Sequence, residues 1–360
     1  VSTILESAQN GDFSTITERA YSSTIELSGG SRMLIGHSQL IIIMNKSESK
    51  TPKFSIIINA YNGEKYLPEA LESVFAQTCT DWELIIWDNQ STDNTAAICK
   101  DLDDDRVKYF YAPEHTTVGP ARNLVVHFAK GDWLAFLDHD DIWPANKLAL
   151  QSAAIDRDTS GKLGIVYGWA LQFYQSEKVE PFDRWHNRNE LPQGDVFQKL
   201  ITMPSFISYS SVVLRRSAVL EIGGIPPSIV LISDYYYILM VARGYLAAAL
   251  PELCCWYRKH EESISYSGTS KITVHYEVLE ILDICEPLID KALLKHRREV
   301  HQAHIGLLEI LTKTDVWQGL IRIFKKGSIR YLATRPLTVT RRYIHNLFAP
   351  PQESRPVKEP

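Results

Sequence analysis

The sequence predicts an α/β protein with a mostly parallel sheet flanked by helices, and three observations carry that expectation. Short apolar, β-branched runs alternate with amphipathic helical stretches from Phe54 to Leu137. One helical stretch lies between successive strand-like runs, the spacing of βαβ units and a parallel sheet. Three of those runs break off in polar clusters: Asn59-Ala60-Tyr61-Asn62-Gly63, Asp88 to Asp93, and Asp138-His139-Asp140-Asp141. Parallel sheets bind ligands at the carboxyl ends of their strands, so these clusters share one functional edge.

The elements follow in order. Phe54–Ile58 is a β-branched strand, and Glu64–Gln77 a helix whose apolar face is Tyr66, Leu67, Ala70, Leu71, Val74 and Phe75. Trp82–Trp87 is the second strand, and Ser91 or Thr92 is expected to cap a helix running through Lys100. Arg106–Tyr111 is the third strand. Gly119-Pro120-Ala121-Arg122-Asn123 opens a helix with Pro in its first turn, and Trp133–Leu137 is the fourth strand. Beyond Gly161 the pattern changes. Leu163–Phe173 is a longer strand, followed by Tyr209–Arg215, Val219–Gly224, and Leu246–Tyr257 interrupted at Pro251. A mixed-charge loop (Glu177–Asn189), a short helix near Val196–Ile201 and a helix over Ser233–Arg243 lie between them. From Lys271 the chain is mainly helical.

The expected organisation has four parts. Residues 1–52, rich in Ser, Thr and Gly, form a poorly ordered extension, with folding expected to begin near Met44, so that deletion of residues 1–43 leaves fold and activity intact. Residues 53–268 form the main domain, divided into a nucleotide-binding part (53–150) and an acceptor part (151–268). Residues 269–346 form a helical C-terminal extension, and 347–360 a disordered tail rich in Pro and charge. Lys291, Lys295, Arg297, Arg298, Lys325 and Lys326 make the helical extension basic, which suits either a solvated cap or a peripheral contact with anionic lipid heads.

Composition narrows the class. A net charge of -5 gives no reason to expect nucleic acid. Five cysteines without a C-x-x-C pair argue against structural zinc or a disulfide framework and fit a reducing cytosol. No apolar run reaches the ~18 residues of a membrane-spanning helix. The chemistry therefore rests on the strand ends. Carboxylates as close as Asp138, Asp140 and Asp141 repel one another. Either a hard cation such as Mg²⁺ or Mn²⁺ neutralises them, or they form a solvated turn.

Four ordered pieces then carry a resemblance: Phe54 to Asn62, Trp87 to Asp93, Gly119 to Asn123, and Leu137 to Asp141. Together they resemble the first strand, the Asp-Asp-Gly-Ser-Thr-Asp turn, the Gly-x-Ala-Arg-Asn helix start and the Asp-x-Asp-Asp metal site of family 2 glycosyltransferases with the GT-A (Rossmann-like) fold. The resemblance implies an inverting, metal-dependent transfer of a sugar from a UDP- or dTDP-type donor to a hydroxyl, in surface polysaccharide or glycan synthesis. It implies donor contacts from Asn59, Tyr61, Asn62, Asp88, Asn89, Arg122, Asp138 and His139. Asp88 would read the base, with an Asx-turn as the alternative, and Arg122 would hold the base or diphosphate, with an ion pair to the Asp101–Asp105 run as the alternative. Divalent Mn²⁺ or Mg²⁺ would be held by Asp138, Asp140, Asp141 and His260, the last in Trp256-Tyr257-Arg258-Lys259-His260, which resembles a Tyr-Arg-x-His loop. Ser233-Asp234-Tyr235 stands where the family has Glu-Asp-Tyr, so Asp234 would be the general base unless it only caps its helix. Gln90 departs from the family's Gly, and Ser233 from its Glu.

The implied partners are a nucleotide-sugar donor and a glycan or lipid-linked acceptor, at the inner face of a membrane or in the cytoplasm. Trp169, Phe173, Tyr174, Trp185 and Tyr209 either stack on an acceptor sugar or fill the core. A nucleotidyltransferase and a non-catalytic nucleotide-sugar-binding protein are the competing expectations. A dehydrogenase lacks its G-x-G-x-x-G after the first strand, and a glycosidase would place two carboxylates on either side of a glycosidic bond.

Overall fold

The computed structural model describes residues 23–26, 32–35, 40–43, 51–174, 191–203, 206–260, 268–311 and 322. The Glu177–Asn189 loop, Trp185, the basic residues beyond Leu311 other than Arg322, and the C-terminal tail lie outside them. The chain divides into residues 1–51 and 52–360. In the first unit, where a loose extension was expected, β1 (Ser23–Glu26), β2 (Arg32–Ile35) and β3 (Leu40–Ile43) pair antiparallel in that order.

The second unit is organised by one seven-stranded sheet. Its strands are β4 (Phe54–Ala60), β5 (Trp82–Asp88), β6 (Val107–Tyr111), β7 (Trp133–Phe136), β8 (Leu163–Tyr174), β9 (Val213–Arg215) and β10 (Leu246–Lys259). Their order is β10-β8-β9-β7-β4-β5-β6. Only β9 runs antiparallel to its neighbours; the other pairs are parallel. Side chains alternate between faces along a strand, and the core divides accordingly. Ile57, Ile85, Leu134 and Phe136 enter one apolar cluster, while Ile56, Ile58, Leu84, Ile86 and Ala135 enter the other.

Helices α1 (Leu67–Phe75), α2 (Thr95–Lys100), α3 (Val118–Val126), α4 (Lys147–Asp156), α5 (Phe197–Thr202), α6 (Arg216–Glu221) and α7 (Ser233–Ala242) connect the strands. The C-terminal helices α8 (Gly268–Cys285) and α9 (Lys291–Leu311) share the core of this unit: Ile281, Leu282, Cys285 and Leu294 pack in the same cluster as Ile57.

Several elements differ from their sequence expectation for local reasons. Helix α1 starts at Leu67, not Glu64, because Gly63 O first closes a turn with Tyr66 N and Leu67 N. Helix α2 starts at Thr95: Asp93 Oδ1 accepts from Thr95 N (3.0 Å) and Oγ1 (2.6 Å), while Ser91 and Thr92 bond to another loop. Tyr209–Ser211 is a 3₁₀ turn rather than strand, since Ser208 O takes both Ser211 N (3.0 Å) and Oγ (2.9 Å). Val219–Glu221 close the helix α6, entered when Arg216 N bonds Asp132 O (2.9 Å) and ends the ladder, and Ile222–Gly224 lie beyond its end. Strand β10 continues through Pro251, which is accommodated by register shifts around Leu253.

Lys147 is fully buried, with its ammonium donating to Gln151 Oε1 at 2.8 Å and lying 3.8 Å from the Trp143 ring centroid. Burial pulls its pKa down to about 7. Unfolded lysine keeps its proton to about pH 10.4. The unfolded state thus binds more protons between those values, and stability rises with pH there. Lys147→Met should remove that slope. In urea titrations its stability relative to the native protein should be greatest at pH 6 to 7 and fall by about 1 kcal/mol per pH unit toward pH 10.

Candidate active site

The carboxyl edge of the parallel strands gathers the polar clusters. The loops after β4 and β5 are stitched together. Asn62, in a left-handed conformation (φ 49°), donates its N–H to Ser91 Oγ (2.9 Å) and accepts Thr92 N (2.9 Å) on Oδ1. Gly63 N donates to Thr95 Oγ1 (2.8 Å) and Glu64 N to Asp93 Oδ2 (2.9 Å). Asn62 thus holds two loops together, a different task from the donor contact expected of it. His139 lies over Gly63, where a Cβ would come 2.9 Å from its Cδ2, so the β7 loop packs against the same joint.

Asp88 is inaccessible to solvent. Its Oδ1 accepts Ser91 N and its Oδ2 accepts the Tyr109 hydroxyl, each at 2.8 Å. This is the geometry of the Asx-turn alternative: the carboxylate braces the loop from within. Asn89 is similarly engaged, donating to Thr116 O (2.6 Å) and accepting Thr116 N (3.1 Å). Tyr61 is exposed, its ring tilted against His115 at 4.6 Å. Asn59 keeps both amide atoms buried with no hydrogen bond among the described residues. That is a costly state for a polar group and one that a ligand can relieve.

Arg122 stands at the centre. It lies on α3, whose N-terminus approaches the segment before α7 closely enough that a Cβ on Gly119 would be 2.7 Å from Ile229 O. Its guanidinium donates to Ser233 Oγ (2.6 Å) and Asp138 Oδ1 (3.4 Å) and covers the Tyr209 ring at 3.8 Å. Nε has no hydrogen bond among the described residues. The alternative pairing with the Asp101–Asp105 run is not formed; Asp104 pairs with Arg106 (2.7 Å). Tyr209 stacks on Phe136 at 4.5 Å, and Phe173 is buried beneath Arg258, so both fill the core.

The three aspartates after β7 have separate environments. Asp138 is pushed up to about 6 by burial and by the charges of Asp140 and Asp234, against the opposing pull of Arg122. Burial would also raise Asp140, but the hydrogen bond from His260 (Nε2 to Oδ2, 2.8 Å) and the charges of His139 and His260 hold it below the usual carboxylate range. Asp141 faces away. It is wholly buried, accepts Arg258 N (2.9 Å) on Oδ1, and is driven well above the usual range by burial and its neighbours. Asp141 thus ties the β7 loop to β10. The remaining set, two crowded carboxylates and an imidazole, has the donor chemistry of a Mg²⁺ or Mn²⁺ site. No three His, Cys, Asp or Glu among the described residues already converge on one metal position.

Asp234 is the second residue of α7 and forms no hydrogen bond or ion pair among the described residues; that helix has no side-chain cap. Sequence reasoning missed Ser210 and Glu277, which hold this edge from behind, and noted Arg258 in the Tyr-Arg-x-His stretch without a role for it. Ser210 accepts Asp138 N (3.1 Å), Arg258 donates to Asp140 O (2.8 Å) and pairs with Glu69, and Glu277 reaches the segment before Asp234. No local motif marks Ser210 or Glu277, because each acts across a large sequence separation.

A family model described as "Glycosyl transferase family 2" matches residues 55–223. The chain is 30% identical over 227 residues to the Escherichia coli UDP-Glc:alpha-D-GlcNAc-diphosphoundecaprenol beta-1,3-glucosyltransferase WfgD, covering 62% of this chain and 84% of that protein. It is 37% identical over 102 residues to the Bacillus subtilis putative teichuronic acid biosynthesis glycosyltransferase TuaG, covering 28% of this chain and 40% of that protein. In structure it is similar to S. aureus TarS 1-349 (TM-score 0.52, 18% identity, 81% of this chain and 78% of that one). It is also similar to TarS 1-349 in complex with UDP-GlcNAc (TM-score 0.54, 19% identity, 82% and 79%). At these identities the structural likeness is one of fold.

Gln90 occupies a left-handed backbone conformation (φ 65°) where the family pattern has Gly, and its side chain offsets the strain by donating to Ala112 O (3.2 Å) and Pro113 O (2.9 Å). Gln90→Ala loses the bonds and keeps the strain; Gln90→Gly loses the bonds and relieves it. Urea unfolding should rank the alanine variant about 1 kcal/mol below the glycine variant.

Proposed function

We propose that this chain, which belongs to glycosyl transferase family 2, transfers a sugar with inversion from a uridine or thymidine diphosphate sugar to a hydroxyl on a lipid-linked glycan. Its seven-stranded, mostly parallel sheet flanked by helices is the GT-A fold. The observation that carries the reading is Asp234. Its carboxylate makes no hydrogen bond or ion pair among the described residues, and it stands close enough to Arg122 and Asp138 for its charge to raise both. Such a group can accept the proton of an incoming hydroxyl. The acceptor oxygen bonds to the anomeric carbon as the bond to the diphosphate oxygen breaks. The nucleoside diphosphate leaves with the electron pair, and the hydroxyl proton goes to Asp234.

Arg122, with Nε unbonded and its other nitrogens fixed by Ser233 and Asp138, can take a diphosphate oxygen. Asn59 and Tyr61 are the donor contacts left open once Asp88, Asn89 and Asn62 are engaged in the loops. Asp138, Asp140 and His260 would hold a Mn²⁺ or Mg²⁺ ion. When bound, that ion supplies positive charge to the diphosphate as it departs. The uridine preference and lipid-linked acceptor are supported by the UDP-Glc and diphosphoundecaprenol substrates in the name of WfgD and by the UDP-GlcNAc complex of TarS. No helix among the described residues is long and apolar enough to cross a membrane. Access to such an acceptor would be peripheral, from the cytoplasmic face, aided by the basic helix α9.

The test is turnover with Mn²⁺, a panel of nucleotide sugars and a GlcNAc-diphospho-lipid acceptor. Nucleoside diphosphate should appear with the glycosylated acceptor, and both should vanish in Asp140→Ala and on chelation. Asp234→Asn should lower kcat by about 10²–10⁴-fold with donor affinity kept. Pyrophosphate release would instead make the protein a nucleotidyltransferase, and donor binding without turnover a binding protein.

A further inference from the structure

Helix α7, which begins at Ser233 and carries Asp234, has no side chain of its own to cap it. The segment that leads into it is held from a distant element. Glu277, in the middle of α8 and only 3% exposed, directs its carboxylate at two successive backbone N–H groups. Leu231 N donates to Oε1 (3.0 Å) and Oε2 (2.9 Å), and Ile232 N donates to Oε2 (3.0 Å). One turn along the same helix, Glu280 accepts the Ser228 hydroxyl. On the other side Ser233 is fixed by Arg122. The residues leading into Asp234 are thus fixed by two separate elements, while its carboxylate makes no hydrogen bond or ion pair among the described residues.

We propose that Glu277 is a positioning residue for the acceptor step, setting the approach of Asp234 to the acceptor hydroxyl. This inference rests on Asp234 being the general base. Charge-assisted bonds to consecutive N–H groups are short and directional. They remove freedom from the chain two residues before the base, and a base displaced by about 1 Å can lose as much as 10²-fold in rate. The C-terminal helical extension then belongs to the catalytic apparatus, because α8 is packed in the core and delivers this carboxylate. Ser233 gives the arrangement its logic. Where the family pattern has a Glu beside the base, this chain has a short hydroxyl bound to Arg122, and an acidic group arrives from another helix.

The test compares wild type, Glu277→Gln, Glu277→Asp, Asp234→Asn and the double variant Asp234→Asn/Glu277→Gln. In Glu277→Gln one N–H faces an amide NH₂ instead of an oxygen; in Glu277→Asp the charge is kept but withdrawn by one methylene, so folding is preserved. Both are expected to lower kcat for transfer at least about tenfold. Donor binding, measured by calorimetry with the UDP-sugar and Mn²⁺, should stay within about twofold of wild type. In the Asp234→Asn background, Glu277→Gln should change the residual kcat by less than about twofold, because its effect passes through the missing base. Wild-type kcat in a folded Glu277→Gln or Glu277→Asp, or an equal loss of donor binding and kcat, would overturn the inference and leave a purely structural tie. If Asp234→Asn itself retains wild-type kcat, the assigned base and this inference fall together. If Asp234→Asn is impaired and the Glu277 variants are not, only the inference falls.

Discussion

The structure depends on one buried cation. Arg122 is almost wholly removed from solvent, and a guanidinium in that position must find anions, dipoles or π-faces or it destabilises the fold. It has one of each. Asp138 comes from the end of β7, Ser233 from the start of α7, and the Tyr209 ring from the turn before β9. These three belong to different parts of the chain, and the guanidinium brings them to one point at the strand edge. That charge pulls against the rise of Asp138 to about 6, which burial and the charges of Asp140 and Asp234 produce, while Asp140 is held down by His260 and His139.

Around that centre the loops are rigid where the chemistry needs a floor and open where it needs a ligand. Asn89, Asn62 and Gln90 bond to other loops, two of them from left-handed backbone, and Asp88 braces its own loop against β6. Asn59, Tyr61 and Asp234 are left with polar atoms or surface unused by the protein. The division follows from hydrogen-bond satisfaction: a loop end at a parallel sheet exposes backbone groups that need partners, and the nearest short polar side chains supply them.

Much of this was legible in the sequence. The β-branched runs and their polar ends identified the parallel sheet and its working edge, since burial on both faces leaves a signature that survives without tertiary knowledge. The order of Asp88, Arg122 and Asp138 along the chain likewise identified the family pattern. What side chains do within the site was less legible. Asp88 and Asp141 have the same residue type as Asp138 and Asp140, and only three-dimensional partners, Tyr109 for one and the Arg258 N–H for the other, turn them into supports. The apolar run at Val219 was ambiguous between strand and helix because the deciding event is the end of β9 at Arg216 N, a contact with Asp132. Glu277 is separated from the N–H groups it holds by more than forty positions, beyond the reach of any local pattern.

The reversed strand β9 has a consequence for how the molecule comes into being. It bridges two parallel sets, pairing Ala135 with Val213 on one side and Val166 with Val213 on the other. Until Val213–Arg215 is synthesised, β7 and β8 each present an unpaired edge, and the two halves of the sheet have nothing to join them. The donor-side loops can form early from contacts that are near in sequence. Asp234 and His260 arrive only after the joining strand. A ribosome-bound chain would therefore join the loops after β4 and β5 before Ser233 and Asp234 can reach Arg122, and this strand edge is completed late in synthesis.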